Sequence, residues 1–424
     1  MKNARKIILV ALSALIIGAV FPYVNYALDQ TYQQLKVIVD VMELIKESYV
    51  EEIDSQTLVY GAAKGMVAEL DDFSQFMEPD VYDRVKSDTE GEFGGIGIRV
   101  DTREGWLTVV TPLPNTPAWK AGVMPGDKII KIEGVTTKDL IIDDAVKKLR
   151  GKPGTKVKIT TAREADDKKA DWITKDIELT RELIKAENVK WHMLDSKTGY
   201  IKLVEFTGHV TENFGKAMRE LKGKGMEALV LDLRYNPGGL LSSAVDISKL
   251  FMNNNKMIVY TKGRKPENYQ EFRANGTAPY EMLPVVVLVN RYSASASEIV
   301  AGAMQDNKRA VIVGERSFGK ASVQSMIPLS DKSALRLTIA KYYTPSGKSI
   351  QHDAKNKTGG ITPDIEVKVS LETEKKLIQQ GEEIYFPGKE DKDKKKDLQS
   401  DEVLDRAVEL LKAREVLGNL KPGK

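Results

Sequence analysis

Three alternating serines, Ser293, Ser295 and Ser297, lie in Ser293-Ala294-Ser295-Ala296-Ser297-Glu298, just after the apolar run Val285–Asn290. A strand that turns into a helix presents the first helical residues at the sheet's carboxyl edge, where α/β proteins place their sites. The unpaired N–H groups of the first helical turn point there too, and they favour a developing oxyanion. Small residues let a substrate backbone approach closely, so a serine here suits a nucleophile. Taken alone, the same pattern fits ordinary capping and packing.

A nucleophilic serine needs a base. The three histidines, His192, His209 and His352, lie outside any nucleophile-elbow pattern, and Gly-x-Ser-x-Gly is absent. His209 reads as a surface residue just before a helix. A lysine serves as a base when it is held neutral by burial or a nearby cation. Lys320 in Arg316-Ser317-Phe318-Gly319-Lys320 follows the short strand Val311–Val313 in a stretch of low polarity. If 320–324 is extended, Lys320, Ser322 and Gln324 share a face, and Gln324 can hydrogen-bond the lysine amine. The competing reading is a lysine on a surface strand. Cysteine is absent, which removes thiolate catalysis, disulfides and Cys-based zinc sites. With so few histidines no metal site is expected, and no cofactor is required. A net charge of +3 from 64 basic and 61 acidic residues gives no argument for a nucleic-acid partner.

These residues must be held by a larger framework, since 424 residues exceed one compact core. Residues 30–90 show helical periodicity, with Asp54 or Ser55 as the cap of a second helix. Residues 91–165 read as a small β-rich module with one main helix at Ile142–Arg150. Residues 186–370 read as α/β, with buried-type strands at Ala228–Leu233 and Val285–Asn290. The former leads to the turn Asn236-Pro237-Gly238-Gly239. Lys389–Asp397 is a charged linker, and Ser400–Leu417 an amphipathic helix with Gly418 as its C-cap. At the N-terminus, Lys2, Arg5 and Lys6 precede the apolar run Ile7–Tyr23. That is the order of an export signal or an uncleaved anchor with its positive end inside. The remainder is expected outside the cytoplasm and in water.

The two site segments together closely resemble the carboxyl-terminal processing protease family of serine peptidases. Ser293–Ala303 and Gly314–Gln324 carry the resemblance, with spacings 320 − 295 = 25 and 324 − 320 = 4. It continues through Asp232–Gly239, Tyr343–Gln351, Gly360–Asp364 and Gly91–Ile98, and spans roughly residues 35–370. Asp71-Asp72-Phe73-Ser74 departs from the family's usual Asp-Pro-His-Ser. The resemblance implies Ser295 as nucleophile, Lys320 as general base and Gln324 as the residue that positions Lys320. It implies oxyanion donors at the Ala296 amide and at that of Gly238 or Gly239, the two glycines being left open. It also implies that the small module is a PDZ domain whose Gly95-Ile96-Gly97-Ile98 loop and strand bind a peptide's terminal carboxylate.

The expected fold is therefore multidomain α/β. A signal peptide or membrane anchor at 1–27 precedes a helical segment at 28–90 and an inserted PDZ domain at 91–165. An α/β crotonase-like peptidase core at 166–370 and a charged linker with a C-terminal helix at 371–424 complete it. The implied partners are protein or peptide C-termini, the membrane through the N-terminal segment, and a second copy docked through the terminal helices. An exported PDZ scaffold with a degenerate core, and an acyl-CoA hydratase or thioesterase, are the competing classes. The intact Ser295, Lys320 and Gln324 argue against the first, and the export signal with a PDZ-like module against the second.

Overall fold

Val285–Val289 is buried along its whole length, which explains why it reads as a continuous apolar run. In the computed structural model, Val285, Val287 and Val289 face one hydrophobic core and Val286 and Leu288 face another. The structure describes residues 32–419 except 114, 165–171, 186, 254, 354–357, 371, 375, 378–379 and 381–398. The apolar N-terminal run and the Lys389–Asp397 linker lie outside the described residues. Among the described residues, no helix is long and apolar enough to cross a membrane.

The chain divides into two units, one of residues up to Pro79 with Ser325–Leu337, the other of Asp80–Gln324 with Thr338–Lys424. In the smaller unit, helix Ser55–Ala68 begins at Asp54, whose carboxylate accepts from Gln56 N–H and Thr57 N–H. Gln75–Met77 pairs antiparallel with Ala334–Arg336. A small core of Tyr60, Val67 and Phe76 sits between helix and strands. The Asp71 carboxylate accepts from Phe73 N–H, Ser74 N–H and Ser74 Oγ, so the turn is built by Asp71 and Ser74, the two positions that match the family motif.

In the larger unit, six strands run in the order Val189–Met193, Thr198–Leu203, Ala228–Asp232, Val285–Val289, Val311–Gly314, Ile365–Glu366. The first pair is antiparallel and the rest are parallel. Phe214, Met218 and Leu221 of helix Val210–Gly223 pack on one face, with helices Leu241–Lys249 and Ala296–Asp306. Val403, Ala407 and Leu411 of helix Glu402–Asn419 pack on the other. That helix runs through Gly418 instead of ending before it, so Gly418 is not its cap.

The β-rich module is a sheet in the order Ile98–Arg103, Trp106–Pro112, Lys128–Ile132, Lys156–Glu164, Trp172–Thr180. Helix Ile142–Leu149 contributes Ala145 and Leu149 to its core. The last strand lies past residue 165, and the chain then returns through Glu182–Lys185, which pairs antiparallel with Glu92–Gly95.

A buried ionic group joins the core sheet to the C-terminal helix. Arg234 lies between Asp232 (2.7 Å) and Asp401 (2.8 Å), and Tyr200 Oη also donates to Asp232. Burial pushes the Asp232 carboxyl up, but Arg234, Lys202 and Tyr200 outweigh it and hold it well below the usual aspartate range. The stabilisation is therefore present above the unfolded-state pKa and is lost only as pH falls far into acid. Arg234→Ala leaves Asp232 buried without its cation, and is expected to cost about 3–5 kcal/mol. A fall of that size in unfolding free energy, measured by urea titration at neutral pH, checks this.

Candidate active site

Helix Ala296–Asp306 starts where the strand Val285–Val289 has ended at the sheet's carboxyl edge, and Ser295 stands at its N-cap. Ser295 has φ 55° and ψ −113°, a conformation that a non-glycine residue holds only when its surroundings over-determine it. The other two serines are buried and structural in their contacts. Ser293 Oγ donates to Leu233 O (2.8 Å) and Ser297 Oγ to Asn236 O (3.0 Å), tying the helix start to the loop after Ala228–Asp232. Ser295 alone of the three is partly exposed.

The group that over-determines the site is Glu298, whose side chain is fully buried. Its Oε2 accepts from Ser295 N–H (2.8 Å) and from Lys320 N–H (2.9 Å). Its Oε1 accepts from Gly319 N–H (2.7 Å) and Ser317 Oγ (2.6 Å). One carboxylate thus fixes the main chain of both Ser295 and Lys320, 25 residues apart in sequence. Burial pushes its pKa up to about 7, against the pull of these four donors. Lys320 is half-buried, and its Nζ lies 3.5 Å from Gln324 Oε1. Lys320 precedes strand Ser322–Pro328, which carries Gln324.

The later motifs hold the Lys320 loop in place. Ser317 Oγ accepts from Ile361 N–H (2.6 Å), and Gly319 O accepts from His352 N–H (2.8 Å). Phe318 N–H reaches Ser293 O (3.0 Å), which ties this loop to the serine segment.

The Asn236–Gly239 turn lies on the other side of Ser295. Asn236 O accepts from Ala294 N–H, and its side chain bridges Leu203 O and Gly238 N–H (2.9 Å). A Cβ on Gly238 would stand 2.7 Å from Ser295 Cβ and 3.0 Å from Ala296 N, filling the space above the helix's first amide. A Cβ on Gly239 would meet Phe206 O at 2.2 Å. Both glycines have strongly positive φ, so neither site takes a side chain. The arrangement sets a serine hydroxyl at a helix start beside a glycine turn, with the Lys320 main chain held to the same carboxylate as Ser295, which suits acyl transfer.

Gly95 ends strand Glu92–Gly95, Ile96 is buried, and Thr116 Oγ1 donates to Gly97 O (3.0 Å). Ile98 opens strand Ile98–Arg103, an edge of its sheet with, among the described residues, only Trp106–Pro112 beside it. His209 stands at the N-cap position of helix Val210–Gly223 with its side chain exposed, and its Nε2 meets Glu92 Oε1 at 3.1 Å. Sequence reasoning gave no role to Glu298 or Asn236. The Ser-x-x-Glu spacing of a capping box at 295–298 was the signal for the first.

Residues 197–367 match peptidase family S41, residues 108–163 match a PDZ domain, and residues 22–81 match the N-terminal domain of the activating protease CtpB. The chain is 41% identical to the carboxy-terminal-processing protease of Bartonella bacilliformis, over 81% of this chain and 77% of that protein. It is 38% identical to the carboxyl-terminal-processing protease of Synechocystis sp., over 77% of this chain and 75% of that one. The solved photosystem II D1 C-terminal processing protease is 28% identical, with 78% of this chain and 92% of that one covered and a TM-score of 0.46. The PDZ and peptidase folds expected from the sequence are both present. With this likeness over most of its length, the chain belongs to the carboxy-terminal processing proteases, hydrolases that combine an S41 peptidase core with a PDZ domain.

Proposed function

We propose that Ser295 is the nucleophile of this peptidase, Lys320 its general base and Gln324 the residue that orients the lysine amine. The observation that carries this reading is the shared Glu298 Oε2, which holds Ser295 N–H and Lys320 N–H at 2.8 and 2.9 Å. Neutral Lys320 takes the Ser295 hydroxyl proton as Oγ attacks the scissile carbonyl carbon. Lys320 then gives that proton to the leaving amine, and a water, deprotonated in the same way, releases the acyl group and restores Ser295. The tetrahedral oxyanion is held by Ala296 N–H, the first amide of its helix, and by a glycine amide. Gly238 N–H already donates to Asn236 Oδ1, which favours Gly239 as the second donor.

The substrate's C-terminal tail adds as a strand to the edge of Ile98–Arg103, with its carboxylate at Gly95-Ile96-Gly97-Ile98. Tail binding admits substrate to Ser295. The PDZ unit is taken as 91–185, because Glu182–Lys185 closes on Glu92–Gly95. The flanking parts are an export signal or anchor at 1–27, a helical dimerisation segment at 28–90, the peptidase core up to 370 and the C-terminal part at 371–424. The export-like N-terminal run supports action outside the cytoplasmic membrane, to which the chain is tethered if the run is uncleaved.

An unstructured protein with an apolar C-terminus tests the reading. Wild type is expected to cleave it, and Ser295→Ala and Lys320→Ala to be inactive. Equal cleavage by all three would sink the assignment. Gly97→Ala brings a Cβ to 2.2 Å from Thr116 Cβ, and is expected to weaken tail-peptide binding about tenfold or more while a small serine-directed probe still labels Ser295. Calorimetry and probe labelling read the two effects.

Glu298→Gln keeps the shape but turns an N–H2 toward two of the four donors. It is expected to lower kcat about tenfold or more, at about 1–3 kcal/mol per unsatisfied buried donor. Because burial holds the folded-state pKa at about 7, above the unfolded value, wild type loses stability as pH rises through that range. Glu298→Gln flattens this dependence, which urea midpoints at mildly acidic and mildly alkaline pH will show.

A further inference from the structure

Tyr342 lies in strand Ala334–Tyr343, opposite Thr261, and is 2% exposed. Its N–H donates to Ala321 O (2.9 Å), so its backbone is locked to the residue after Lys320. Its hydroxyl donates to the Lys320 carbonyl. The carbonyl can only accept, so the single phenolic hydrogen is committed to it. Glu298 Oε2 already holds Lys320 N–H. Both main-chain polar groups of Lys320 are therefore held by side chains, one on each side of its Cα.

We propose that Tyr342 is a positioning residue for the reaction, one that fixes the Lys320 main chain so that the base keeps its place relative to the nucleophile. The inference rests on the Ser295 and Lys320 roles given above. Packing alone does not call for the hydroxyl. Tyr342 belongs to the large apolar core, where a phenylalanine ring would fill the same space without a polar atom to satisfy. Burial, with the Glu298 carboxyl close by, keeps the phenol protonated and so able to donate. A flexible four-carbon side chain delivers its amine reproducibly only if its root is fixed, and small misplacements of a catalytic group cost rate disproportionately.

The test is Tyr342→Phe in the full chain, beside Ser295→Ala and Lys320→Ala, with the apolar-tailed protein as substrate. Thr261→Val is the control. It removes a buried hydroxyl bond from the facing strand, Thr261 Oγ1 to Asn268 O (2.9 Å), without touching Lys320. Tyr342→Phe is expected to lower kcat about tenfold or more with KM within about twofold of wild type, a loss in transition-state stabilisation alone. Labelling of Ser295 by a small fluorophosphonate should slow in parallel, while tail-peptide binding is unchanged. Wild-type kcat in Tyr342→Phe, an equal kcat loss in Thr261→Val, or loss of the fold in Tyr342→Phe would each overturn the inference. If Lys320→Ala still cleaves, the underlying base assignment fails. If Lys320→Ala is inactive and Tyr342→Phe is normal, only the role of Tyr342 fails.

Discussion

A carboxylate with four donors and almost no water is the constraint around which the site is built. Glu298 sits one helical turn after Ser295, and it collects amides from two chain segments that the Phe318 N–H to Ser293 O bond also joins. The geometry is economical because each oxygen takes two donors, which is the capacity of an ionised carboxylate. Burial works against the charge and the donors work for it. Protonation of Oε2 would remove acceptor capacity from Ser295 and Lys320 at the same moment. The strained backbone of Ser295 follows from this. A left-handed φ at a residue with a Cβ persists because Glu298 grips its N–H while Gly238 leaves room for its side chain.

How far the sequence reveals this depends on whether a feature is local. Val285–Val289 and Ala228–Asp232 are legible because a strand buried on both faces must be apolar throughout. The serine at the following helix start is legible for the same reason: its place is set by the strand before it. Trp172–Thr180 escapes notice because it is exposed along most of its length and lacks both a continuous apolar run and a clean alternation. Its pairing partner Lys156–Glu164 is likewise longer than its apolar part indicates. Gly418 misleads because the helix continues through it, where a glycine is only mildly unfavourable. Tyr342 and Asn236 could not be found by pattern at all. Their partners lie 22 and 33 residues away, and nothing in either residue type states which carbonyl it will meet.

The turn that carries Gly238 and Gly239 is held by a segment with a second attachment. Phe206 N–H donates to Gly238 O (2.7 Å) and Phe206 O accepts from Leu240 N–H (2.7 Å), so Phe206 clasps the glycines from both sides. The next three residues belong equally to the root of the PDZ module. Thr207 Oγ1 accepts from Asn188 Nδ2, and Gly91 fits against the Thr207 side chain with no room for a Cβ. Gly208 N–H donates to Thr89 O (3.1 Å), and His209 Nε2 meets Glu92 Oε1. Glu92 is the first residue of the strand that enters the module, and its cross-strand neighbour Lys185 is the last residue of the strand that leaves it. A tilt of the module about these two strands would therefore act on residues 207–209 before any other part of the core. The glycine amides are one residue further along the same hydrogen-bonded path. Ser295 and Lys320 are thus fixed to one buried carboxylate, while the glycine turn beside them is fixed to the segment that meets the root of the module.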